Sequence, residues 1–182
     1  SQLGVLRWIV ELGRMDISTE VSMLASHNAL PRQGHLDAVF RIFSYLKTKM
    51  NSRLVLDPTY ADIDYDSFPK QNWEEFYGDA VEHVPNNAPA PLGKPVELRC
   101  YVDADHAGDK LTRKSRSGLI IFINSAPVLW YSKKQNSVET STFGSEFVAL
   151  KIATEILRGL RYKLRMMGVP IAGPSYVYCD NN

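Results

Sequence analysis

Cysteine is scarce in this chain: two residues, Cys100 and Cys179, lie far apart among 182. That excludes a disulfide-stapled scaffold and a thiolate-type metal cluster, and it suits a reduced, intracellular protein. Histidine is nearly as rare, with four residues, and His27, His35 and His83 show no ligand-like spacing. No apolar run approaches the roughly eighteen residues that a membrane helix needs, and the N-terminus lacks the basic-then-apolar layout of a signal peptide. A soluble protein with no membrane partner is expected. Net charge of one sign is also missing, at +1 overall, but that total hides opposed blocks. Residues 1–54 carry 7 Lys/Arg against 4 Asp/Glu, residues 55–98 carry 2 against 9, and residues 99–168 carry 12 against 6. The chain starts inside what reads as a helix and stops directly after a strand, so both ends are expected to be cuts.

What is present falls into three stretches. Residues 1–54 read as helical. Leu3, Leu6 and Val10 have helical spacing with Gly13 as a stop; Asp16 or Ser18 caps a second helix through Ile17, Val21, Leu24 and Ala25 that Pro31 closes. A third helix, from about Gly34 to Lys47, carries the stripe Leu36, Val39, Phe40, Phe43 and Leu46. Residues 55–96 are acidic and broken by six prolines, which predicts a linker or extended insertion. Trp73, Phe76 and Tyr77 are too many aromatics for a plain spacer, so part of it is expected to pack. From Glu97 the period becomes two. Leu98, Cys100, Val102 and Ala104 share one face, and Asp103 and Asp105 the other. Residues 118–124 and 128–132 predict a hairpin around Asn124-Ser125-Ala126-Pro127. A long helix follows from Ser141/Thr142 to about Met167, with Phe143, Phe147, Leu150, Ala149, Ala153, Ile156, Leu160 and Leu164 as its apolar face. A last strand spans residues 176–180. Three strands, a helix and a strand predict an α/β mixed sheet with a covering helix.

Asp103 on the first strand, Glu146 in the first turn of the long helix and Asp180 at the end of the last strand are candidate metal ligands. Hard divalent cations take oxygen donors, and two Mg²⁺ ions about 3.5–4 Å apart can ready a water and stabilise a leaving oxygen. By composition alone each carboxylate has an equally ordinary explanation in turn formation or helix-dipole compensation.

Sequence resemblance goes further. The run YVDADHAGDKLTRKSRSGLIIFINSAPVLWYSKKQNSVETSTFGSEFVAL, with VYCDNN after it, resembles the ribonuclease H domain of Ty1/copia-type retrotransposons. LGVLRWIVELGRMDISTEVSML, followed by LPRQGHLDAVFRIFSYLK, resembles the end of the reverse transcriptase in the same polyproteins. The resemblance implies a ribonuclease H-like mixed sheet with covering helix over 97–182, truncated at the C-terminus. It is preceded by a helical reverse transcriptase tail over 1–54 and the acidic Pro-rich linker over 55–96. Asp103, Glu146 and Asp180 become catalytic and metal ligands for two Mg²⁺ ions, or Mn²⁺, and Asp105 does not. The family pattern has a fourth carboxylate beyond Asn182, so this chain alone is expected to be weakly active or inactive. His106 stands where the family commonly has Trp, and Gly144 where a further Glu is frequent.

The activity so implied is hydrolysis of the RNA strand of an RNA/DNA hybrid during reverse transcription, next to an upstream polymerase domain. The expected location is intracellular: a cytoplasmic virus-like particle, or the nucleus. Hybrid recognition of this kind reads backbone, groove shape and 2′-hydroxyls more than bases. Lys110, Arg113, Lys114, Arg116, Lys133 and Lys134 are candidate phosphate contacts, against the plainer reading of solvated loops. Cys100 and Cys179 fall by parity on the face opposite Asp103 and Asp180 and read as core residues. An integrase or transposase would require two aspartates before the glutamate, whereas Glu146 lies between Asp103 and Asp180. A non-catalytic fragment of a decayed element, binding nucleic acid or a neighbouring domain, is the alternative from another class.

Overall fold

The switch to period two after residue 97 is realised as β1 (Leu98–Asp105), whose inward residues Leu98, Cys100, Val102 and Ala104 are all buried. A computed structural model describes residues 1–67, 72, 74–78 and 81–180. β1 pairs antiparallel with β2 (Arg116–Ile123), which pairs antiparallel with β3 (Ala126–Lys134). On its other side β1 pairs in parallel with β4 (Tyr176–Cys179). The result is a mixed four-stranded sheet in the order β3-β2-β1-β4. One long helix, α5 (Thr142–Met166), covers one face and makes the parallel crossover possible. This is the α/β, ribonuclease H-like arrangement of a mixed sheet with a covering helix; the sheet does not close on itself.

The β2–β3 turn is tighter than the four residues expected. Ile123 pairs with Ala126, leaving Asn124 and Ser125 as the loop, with Asn124 at φ 55. Asparagine tolerates that left-handed conformation, which two-residue hairpins need. Pro127 therefore lies within β3, at the register shift opposite Ile121/Phe122, where a missing N–H does least harm.

α5 is rotated from the face expected of it. Its buried residues are Ser145, Glu146, Ala149, Ala153, Leu157 and Leu164, whereas Phe143 and Phe147 are 71% and 61% exposed. Small Ala149 and Ala153, fully buried, let the helix approach β1 closely; Phe143 and Phe147, whose rings lie 6.2 Å apart, would hold it off. Leu150, Ile156 and Leu160 flank the same core as half-buried residues.

The N-terminal stretch forms α1 (Gln2–Glu11), a single 3₁₀ turn (Met15–Ile17), α2 (Ser18–Ala25) and α3 (Gln33–Thr48). α2 starts after Ile17 with no side-chain cap. Asp16, expected as a cap, instead takes two hydrogen bonds from Arg14 at 2.8 and 2.9 Å and one from Tyr45 at 3.0 Å. α2 also ends at Ala25, well before Pro31. In α3 the buried residues are Val39 and Ile42, with Phe43 and Leu46 beside them, while Leu36 and Phe40 are exposed. The helices dock on β3: Trp130 packs into their core and donates its Nε1–H to the Val10 carbonyl at 3.0 Å, and Ser22 Oγ donates to the Ser132 carbonyl at 2.6 Å.

Among its described residues the acidic stretch carries a 3₁₀ turn at Tyr65–Ser67 and a short helix α4 (Glu74–Tyr77). Part of it packs. Tyr65 stacks on Tyr176 at 4.1 Å, Asn124 and Ser125 donate to the Pro58 and Thr59 carbonyls, and Glu82 is clamped by Arg161 and Arg165 at 2.6 and 3.0 Å. Of the three aromatics in this stretch, Phe76 and Tyr77 are exposed and Trp73 lies outside the described residues. Among the described residues no helix is long and apolar enough to cross a membrane.

Two outcomes are expected from this packing. Leu157→Ala should destabilise the fold by about 2–5 kcal/mol in urea titration, as for a buried leucine elsewhere, and Phe143→Ala by less than about 0.5 kcal/mol, as for an exposed site. Equal losses would put Phe143 back in the core. The Arg161 and Arg165 guanidiniums hold the Glu82 carboxyl down to about 2. A carboxylate with a depressed folded-state pKa stabilises the folded form above its unfolded value, and that contribution disappears as pH falls through the folded one. Amide exchange over residues 81–90 should therefore accelerate, beyond its intrinsic chemistry, as pH falls from about 4.5 towards 2. Glu82→Gln should show the loosened state already at neutral pH.

Candidate metal centre

Three elements converge at one end of the sheet. β1 and β4 run in parallel with Val102 opposite Cys179, so the next residues along each, Asp103 and Asp180, lie side by side. α5 packs its N-terminal end over the same end, and Glu146, just past the first turn rather than within it as expected, is buried there. Each of Asp103, Glu146 and Asp180 offers a carboxylate oxygen within 4.8 Å of the others; Asp103 and Asp180 are exposed and Glu146 is buried. The three candidate ligands are thus brought together. Asp105, on the same face of β1 as Asp103, is not in the group.

One backbone amide links two of the carboxylates. The Ala104 N–H lies 2.8 Å from Asp103 Oδ1 and 3.2 Å from Glu146 Oε1. The Cys179 thiol donates to Glu146 Oε2 at 3.6 Å. Parity had made Cys179 a core residue; it is on the core side, yet it touches the cluster because Glu146 reaches it from the helix. Burial pushes the Glu146 carboxyl above its ordinary pKa, against the lowering effect of its Ala104 and Cys179 hydrogen bonds; Asp103 and Asp180 add like-charge repulsion. A divalent cation would relieve that repulsion. The donor set is all oxygen, which suits Mg²⁺ or Mn²⁺ rather than a thiophilic metal, and exposed Asp103 and Asp180 leave the centre open to a substrate.

The start of α5 is held by buried polar groups that the sequence reading missed. Gln135 donates from Nε2 to Ser117 Oγ and to the Ser145 carbonyl, each at 2.9 Å, and from its backbone N–H to the Ser115 carbonyl at 2.8 Å. Ser115 Oγ in turn accepts from Ala107 N at 3.0 Å. Ser141 caps the helix, its Oγ accepting from Gly144 N at 3.1 Å. Gln135, Ser117 and Ser145 therefore fix where Glu146 begins. The available signal was Ser117 at an inward position of a strand otherwise filled by Leu119 and Ile121.

The basic candidates divide. Lys134 is committed to Asp109, Nζ to Oδ2 at 2.8 Å. Arg116 is half-buried and bonded to Ser22 Oγ. Lys110, Arg113 and Lys133 are exposed and Lys114 half-buried. His106 is half-buried in the turn after β1. A groove of about 480 Å³ runs from Asp103 and Asp180 along the uncovered sheet face, between Tyr101, Tyr178 and Trp130 and the helical residues Met15 and Ser18.

No family model and no solved structure matches the chain. Over 155 residues, 85% of each chain, it is 26% identical to "Secreted RxLR effector protein 161" of Plasmopara viticola. Over 179 residues, 98% of the chain, it is 27% and 26% identical to the retrovirus-related Pol polyproteins from transposons RE1 and RE2 of Arabidopsis thaliana, of which it spans 10%. Along nearly its whole length, then, the chain is similar to a stretch of a retrotransposon Pol polyprotein.

Proposed function

We propose that this chain is the end of a reverse transcriptase (1–54), an acidic linker (55–96) and a ribonuclease H region (97–182) that hydrolyses the RNA strand of RNA/DNA hybrids. The observation that carries the reading is the convergence of Asp103, Glu146 and Asp180, from three separate elements, to within 4.8 Å. Similarity to retrotransposon Pol polyproteins supports it. The partners it implies are the hybrid and the upstream polymerase domain, in a cytoplasmic virus-like particle or the nucleus.

Two Mg²⁺ or Mn²⁺ ions, when bound, would ready a water and offset charge on the leaving oxygen. The protein's part is positioning. Asp103 and Asp180 present their carboxylates to the side from which a phosphodiester arrives. Glu146 is immobilised in advance, because the Ala104 N–H and the buried Gln135–Ser145 contact hold both its carboxylate and its helix. Such prepaid orientation is worth orders of magnitude in rate. Its raised pKa places a proton in competition with the cation at this residue.

A second reading has an observation of its own: the relative whose length the chain matches to 85% is named a secreted effector. In that reading the fold persists as a non-catalytic protein that binds nucleic acid or a neighbouring domain.

A labelled RNA/DNA hybrid with Mg²⁺ or Mn²⁺ decides between them. Cleavage is expected, and Asp103→Asn and Glu146→Gln should each lower it by about 100-fold or more. Mg²⁺ should raise the thermal midpoint of the parent and not of Asp103→Asn, since a ligand stabilises only the state that binds it. Hybrid binding without cleavage, with no response to Mg²⁺, would favour the second reading.

A further inference from the structure

The loop joining β1 to β2 and the face of α2 enclose a cleft of about 280 Å³ that the carboxylate cluster does not use. Lys110, Lys114, Arg116 and Lys134 line it from the loop and sheet, Met23 from α2, and Ser26 and His27 from the turn just after it. Two carboxylates share it, and both are turned to other work. Asp109 pairs with Lys134 and accepts the backbone amides of Leu111 and Thr112 at 3.0 and 3.1 Å, which pins the loop. Asp105 is folded over Gly108, where an added Cβ would lie 1.8 Å from its Oδ2.

Arg116 is left in an unusual state. Its guanidinium is half-buried, and the partner it bonds is the neutral hydroxyl of Ser22; among the described residues no carboxylate forms an ion pair with it. Burial lowers its pKa, and the Asp105 and Asp109 charges partly offset this. A guanidinium has five N–H donors, and leaving them desolvated costs free energy that an anion would return. Ser22 holds the group in place, because its own hydroxyl donates to the Ser132 carbonyl at 2.6 Å. The location is also informative. Arg116 faces Asp105 across the β1–β2 pair and Gly118 faces Asp103, so Arg116 stands two residues, about 7 Å, along the ladder from the cluster. That is a step comparable to the spacing of successive phosphates on a strand.

We propose that this cleft is a phosphodiester subsite, anchored by Arg116 and rimmed by Lys110 and Lys114, that holds the hybrid's backbone one step from the Asp103–Glu146–Asp180 cluster. The inference rests on the ribonuclease H reading for the identity of the strand it holds. It also assigns the helical stretch a part in binding: α2 supplies one wall of the cleft and, through Ser22, the orientation of its anchor.

The test measures binding of a fluorescent RNA/DNA hybrid across a salt series, in a chain carrying Asp103→Asn so that nothing is turned over. Each neutralised phosphate adds about 0.9 to the log–log salt slope of duplex binding. Arg116→Met should weaken binding about tenfold at low salt and flatten the slope by about one, and Lys110→Ala with Lys114→Ala should flatten it by about two. Ser22→Ala should weaken binding with the slope unchanged, since it disorients a charge without removing one. Lys151→Ala, on the exposed side of α5, should change neither. If Arg116→Met fails to fold, the Lys110/Lys114 pair decides. A slope unmoved by that pair overturns the subsite. Cleavage by the chain with Asp103 intact is scored separately: cleavage with unmoved slopes defeats the subsite and spares the nuclease, and moved slopes without cleavage do the reverse.

Discussion

The close approach of α5 to β1 is the contact on which the rest depends. It is possible because Ala149 and Ala153, both fully buried, face the strand. A helix held off by larger side chains would leave Glu146 short of the Ala104 amide at 3.2 Å and of Cys179 at 3.6 Å. Burying a carboxyl here is unfavourable, and its pKa is raised accordingly. Such a cost in a well-packed core is commonly tolerated where the group is used.

Around that contact the polar network of Gln135, Ser117 and Ser145 does for direction what the alanines do for distance. The Gln135 side-chain amide donates both to Ser117 Oγ and to the Ser145 carbonyl, so the start of α5 is tied to β2 at a fixed position. The hairpin contributes through its tight turn, which sets the β2–β3 register and so brings Trp130 and Ser132 to the docking surface of α1 and α2. Helical segment and sheet are thereby stitched at Val10 and Ser22, and the second of these contacts also carries Arg116. The carboxylate cluster and the basic cleft thus occupy neighbouring parts of one scaffold: the first at the end of the sheet under α5, the second at the β1–β2 loop beside α2.

Where sequence patterns failed, they failed on faces. Phe143 and Phe147 fit a broad apolar stripe, and so did Leu36 and Phe40, because a stripe wider than the contact it makes cannot say which edge is inside. Asp16 had the right chemistry for a cap but a better partner in Arg14, and the turn after Ile123 closed on two residues because Asn124 accepts a left-handed backbone. Lys134 and Arg116 were indistinguishable as basic residues; one is neutralised by Asp109 and the other is not.

Strand alternation from Leu98, the order of strands and helix, and the right-handed necessity of a helical crossover before a parallel strand were determined by the sequence alone, since period and chain order are local properties. The identity of the three carboxylate candidates came from family resemblance to the sequence rather than from its spacing. Their convergence was decided only by the tertiary structure, because Asp103 and Asp180 meet through a parallel register, Val102 opposite Cys179, which no local signal encodes. Glu146 joins them through the rotation of α5, and that rotation follows from which side chains are small enough to lie against β1.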